Sequence, residues 1–101
     1  MAMYLLMRGI ETGKAIINRV RFLNCEIFEE IVGRKLDWDE VFIIDAKDIP
    51  KIIEYYENLI EGLPLTESVY LIKNQIIPNL KAELPKDGWL YNNTKYVVMW
   101  V

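Results

Sequence analysis

Five carboxylates crowd into LDWDEVFIIDAKDIP, residues 36 to 50: Asp37, Asp39, Glu40, Asp45 and Asp48. Between them runs a short apolar stretch, Val41 to Ile44, and Lys47 stands two residues beyond Asp45. A carboxylate at the end of an apolar strand with a lysine two positions on suits one kind of chemistry. A carboxylate can bind a divalent cation, and an ammonium beside it can assist a metal-bound water. On that reading Asp45 and Lys47 are the catalytic candidates, Asp39 or Asp37 supplies an earlier carboxylate, and Glu29 or Glu30 a helical one. A structural reading accounts for the same acids: Asp48 caps a helix, Asp45 ends a strand, and Asp37, Asp39 and Glu40 keep a loop in water. An acid-x-lysine after a strand arises often by chance, so the structural roles are the expectation.

Composition removes most other chemistries. The chain has no histidine and one cysteine, Cys25. Histidine-based triads, histidine zinc sites and imidazole acid–base catalysis are therefore excluded, as are an intrachain disulfide and a cysteine metal site. No metal and no cofactor is expected. Cys25 lies near an apolar stripe and reads as a small buried hydrophobe.

Four aromatics near the end form a second group. Trp89 and Tyr91 fall on one strand face, and Tyr96 and Trp100 on one face of a partner strand. They could anchor a protein partner or stack bases. The simpler expectation is that they cover the sheet or join its core, since aromatics favour strands. Asn92-Asn93-Thr94 matches a glycosylation pattern and reads here as turn chemistry.

The net charge of −3 is uneven: residues 1 to 35 carry +2, residues 36 to 68 carry −7, and residues 69 to 101 carry +2. Nonspecific nucleic-acid binding needs a basic face, which this balance does not favour, although Lys14, Arg19, Arg21, Arg34 and Lys35 could make a local patch. On a helix Arg19 and Arg21 would point about 200° apart and share no face. Binding to nucleic acid is expected to be weak. The apolar runs are far shorter than the roughly 20 residues of a membrane helix, so no membrane association is expected. The start MAMYLLM has no basic residue ahead of its apolar run, unlike a secretory signal, and a cytoplasmic protein is expected.

These residues need elements to hold them. With 101 residues, 52% hydrophobic, one domain over 1–101 is expected. Residues 3 to 8 read as a strand, apolar on both faces and interior to a sheet. From Thr12 the apolar residues Ile16, Val20, Leu23, Ile27 and Ile31 recur at helical steps, giving a helix from about 13 to 32 as the first reading. The competing reading makes Asn24 an N-cap, with Leu23 stapled to Phe28 and residues 15 to 22 paired to the first strand. Residues 41 to 45 read as a strand, and Asp48-Ile49-Pro50 starts a helix that Gly62 stops. Thr66 caps a further helix, with a staple between Leu65 and Tyr70, and Pro78 ends it near Ile77 or kinks it before it continues to Leu84. A turn at 85–88 leads to a hairpin of residues 89–91 and 95–101.

Two resemblances bear on function. Asp45-Ala46-Lys47 resembles the (D/E)xK half-motif of the PD-(D/E)xK nucleases; the match spans three residues and lacks the Pro-Asp element. It implies a metal-dependent nuclease acting through Asp45 and Lys47. The Ile-, Lys-, Glu- and Tyr-rich usage, with fourteen isoleucines, resembles that of small orphan proteins of filamentous viruses of thermoacidophilic archaea. That resemblance implies a small, rigid protein of the host cytoplasm that binds a host or viral partner.

The expectation is thus an α+β domain with three to five strands, a C-terminal β-hairpin and about three helices. It is expected to be a non-enzymatic protein-interaction module; nucleic-acid binding ranks second and a metal-dependent nuclease third. A homodimer is expected, formed through the final strand or the helical face beside it, unless that strand lies in mid-sheet.

Overall fold

The computed structural model describes residues 4–21, 26–37, 40–84 and 94–101. Strands β1 (Tyr4–Gly9), β2 (Ala15–Arg21), β3 (Phe42–Asp45) and β4 (Lys95–Trp100) form one antiparallel sheet of order β2-β1-β4-β3. Three helical bodies accompany it: α1 (Glu26–Val32), α2 (Ile49–Ile60), and a rod of α3 (Glu67–Leu71), a π turn (Ile72–Ile76) and α4 (Ile77–Ala82). This is the expected small α+β domain. The first strand of the expected terminal hairpin, residues 89–91, lies outside the described residues, as do the 85–88 turn, Asn24 and the Leu23 staple.

The helix read over residues 13 to 32 is not formed. Residues Ala15–Arg21 instead pair with β1, as in the competing reading, Leu5 opposite Val20 and Met7 opposite Ile17, and among the described residues the next helix begins at Glu26. A bulge explains why this strand looks helical. The register slips along the pair, and Arg19 has φ +55°. An extra residue in a bulged strand turns positions three apart onto one face, so Ile17 and Val20 both reach the core at a helix-like interval. The β1–β2 turn closes with Gly9 N–H donating to the Lys14 carbonyl at 3.0 Å, and Gly13 at φ +68° supplies its left-handed residue.

Downstream, local signals hold. Pro50 occupies the first turn of α2, and Gly62 at φ +74° follows its end. Thr66 Oγ1 accepts the Val69 N–H at 3.3 Å, capping α3. Leu65 and Tyr70 nevertheless stay largely exposed. Pro78 has no N–H for the Asn74 carbonyl, and the helix neither stops nor simply kinks: it widens. Across the π turn the Ile77 N–H reaches back five residues to the Ile72 carbonyl, and Asn74 Nδ2 donates to the Tyr70 carbonyl at 3.0 Å. One inserted residue lets the rod pass the proline with Ile72, Ile76, Ile77 and Leu80 all buried.

The two faces of the sheet differ. Leu5, Met7, Tyr96, Val98 and Ile44 are buried in one cluster with Phe28, Ile49, Ile52, Tyr56, Ile76 and Leu80 from the helices. The opposite row runs through Leu6, Val97, Met99 and Ile43, and none of these is buried. All the helices among the described residues therefore pack on one side.

Candidate functional site

The acidic stretch is divided among separate local structures. Asp45 ends β3 directly opposite Lys95 of β4, and Lys95 Nζ lies 2.5 Å from Asp45 Oδ1. Lys47 Nζ lies 3.9 Å from Asp45 Oδ2, so two ammonium groups attend one carboxylate. Asp48 does not cap α2 with its own side chain; its Oδ2 accepts the Asp45 N–H at 3.2 Å, the backward arm of a capping box. Glu40 pairs with Arg34, whose Nη1 also donates to the Lys35 carbonyl. The hydrogen bond between Arg34 and Glu40 raises the Arg34 pKa and lowers that of Glu40. Glu29 Oε2 accepts the Leu36 N–H at 2.8 Å, and Glu30 is exposed on α1. Asp39 lies outside the described residues. Among the described residues no three acidic or cysteine side chains gather to hold a metal ion.

The aromatic set separates as well. Trp89 and Tyr91 lie outside the described residues. Tyr96 is 1% exposed, and its hydroxyl donates to Glu83 Oε1 at 3.2 Å. Burial, with the Glu83 charge beside it, pushes this phenol up to about 12. Tyr96 is a core residue and offers no surface to a partner. Trp100 is half-buried against the core at the sheet's end.

The basic candidates are scattered. Lys14 approaches Glu83 at 3.7 Å, Arg34 is held by Glu40, and Arg19 is exposed at the β2 bulge. Arg19 and Arg21 both belong to strand β2 and not to a helix.

Two features have no counterpart in the sequence reading. The first is the uncovered sheet face. Leu6 stands opposite Met99, and Arg8, Val97 and Ile43 lie in one cross-strand row. Ile43 is 58% exposed, and Val41 and Val101 beside the strands are 57% and 46% exposed. Its signal was the unbroken apolar run of Val97 to Val101, which buries alternate residues only if one side has a cover. The second is a cleft of about 230 Å³ lined by Leu5, Glu26, Phe28, Glu29, Leu36, Asp37, Phe42 and Trp100. No spacing rule joins residues so far apart in the chain.

Comparison of the chain with protein-family models, with characterised proteins and with solved structures finds no match. No helix among the described residues is long and apolar enough to cross a membrane.

Proposed function

We propose that this protein acts by binding and not by catalysis, and that its contact surface is the uncovered face of the sheet, occupied by a second copy of the chain. The observation that carries the reading is the row Leu6–Met99 and Val97–Ile43, apolar and, among the described residues, without a helix over it. An apolar sheet face gains from being removed from water, at about 25 cal/mol per Å².

The end strand interface expected from the sequence is overturned, because β4 lies between β1 and β3 and has no free edge. What remains available is a face. A twofold axis lying along β4 sets Val97 and Met99 against their own copies and swings β1 of one protomer over β3 of the other. Such an isologous contact satisfies the commonest symmetry of small oligomers.

Light scattering at micromolar concentration tests this. A dimer that becomes monomeric in Val97→Lys, with the fold retained, is the expected result. A monomeric wild type, or a variant that stays dimeric, overturns it.

A further inference from the structure

We infer that the cleft at the end of the sheet is a binding site for a small organic cation with a ring-sized apolar body. The inference is independent of the sheet-face contact, which lies on the other side of β1 and β4.

The cleft has two kinds of wall. Leu5, Phe28, Leu36, Phe42 and Trp100 give it an apolar floor, and Phe28 and Phe42 meet at 5.7 Å between ring centroids with a 58° tilt. Its charged lining among the described residues is Glu29 and Asp37, with Glu26 at the rim, and no described lining residue is basic. The guanidinium of Arg34, a few residues away in the chain, is held by Glu40. Glu29 is fixed by the Leu36 N–H, which sets one carboxylate at the wall.

Size and chemistry then select a ligand. A cavity of about 150 Å³ is enough to take benzene. The volume here accommodates an aromatic ring with a short arm. Carboxylates beside the part-exposed rings of Phe42 and Trp100 favour an ammonium at the end of that arm, through charge-assisted hydrogen bonds and cation–π contact. A metal ion is the poorer match, since no three acidic side chains among the described residues converge as ligands. The cleft is open, so binding is weak and exchanges fast.

The test is an NMR titration of the full chain with phenethylammonium, following the Leu36 amide and the Trp100 indole. The neutral 2-phenylethanol, a capped arginine and magnesium are run beside it. Both signals are expected to move with the amine, and the alcohol is expected to bind at least about tenfold more weakly, the equivalent of one charge-assisted hydrogen bond. In Glu29→Gln/Asp37→Asn the amine should lose about that tenfold while the alcohol is unchanged; glutamine can still accept the Leu36 N–H, which protects the fold. The inference is overturned by the alcohol binding as tightly as the amine, by neither signal moving with amine at about 50 mM, or by magnesium moving both signals more than the amine does. Tighter binding of the capped arginine would assign the cleft to a partner protein's side chain and overturn the free-ligand site.

Discussion

The hydroxyl of Tyr96, in the middle of the sheet, donates a 3.2 Å hydrogen bond to Glu83, the residue that ends α4. One buried side chain thus ties the central strand to the far end of the helical rod. Glu83 also lies 3.7 Å from Lys14 in the β1–β2 turn, so three distant segments meet at one carboxylate.

That contact sets an alkaline limit on stability. The folded Tyr96 pKa is about 12 against an ordinary value of 10, because burial and Glu83 disfavour the phenolate. The folded state therefore keeps a proton that the unfolded chain releases above pH 10. The stabilisation is complete below pH 10 and is lost as pH rises from 10 to 12, by roughly 2 kcal/mol. Denaturant unfolding at pH 8, 10 and 12 should show the loss in wild type. Tyr96→Phe should be about 1–2 kcal/mol less stable at pH 8 and show a shallower decline. Equal slopes for the two proteins would place the titration elsewhere.

Asp45 leads to a prediction about chemistry. Its carboxylate is occupied by Lys95 and Lys47 at a partly exposed strand end, so Asp45→Ala should change stability by no more than about 1 kcal/mol. Purified protein should show no magnesium-dependent cleavage of DNA or RNA. Cleavage that disappears in Asp45→Ala would restore the nuclease reading.

Glycine at the β1–β2 turn is a third point of leverage. Gly13 sits at φ +68° with nothing near the position of an added Cβ, so only backbone strain opposes a side chain there. Gly13→Ala should cost about 1–2 kcal/mol, and Gly13→Asn less, since asparagine tolerates the left-handed region. Thermal unfolding of the two variants separates strain from crowding: equal losses would point to contacts that the fold does not have.

The sequence made some of this legible for local reasons. Thr66, Pro50 and Gly62 act within one turn of their own positions, and each did what its chemistry requires. The failure at residues 15 to 21 is also physical. Periodicity reports which residues face the core, and the bulge at Arg19 gives a strand the three-residue interval of a helix. Pro78 signalled a disturbance, but whether a helix ends, kinks or inserts a π turn depends on whether Ile76 before it and Leu80 after it can both be buried. The Asp45–Lys95 pair spans fifty residues of chain, and only the β3–β4 register brings it together. The cleft is of the same kind, since Leu5, Phe42 and Trp100 become neighbours only when the strand order is set.

The last prediction contrasts two adjacent isoleucines. Ile44 is 3% exposed and faces the helices, whereas Ile43 points to the uncovered face. A lysine at Ile44 would bury a charge with no partner, at a cost of several kcal/mol, and should leave the chain unfolded. Lysine at Val98 or Tyr96 should do the same, so neither can report on association. Ile43→Lys leaves the core untouched; its stability should stay within about 1 kcal/mol of wild type, in the range of ordinary surface substitutions. If the open face is the contact surface, this variant alone of the four should be folded and monomeric in light scattering, with native circular dichroism. A folded Ile44→Lys would mean the two faces have been assigned the wrong way round, and a dimeric Ile43→Lys would move the contact to another surface.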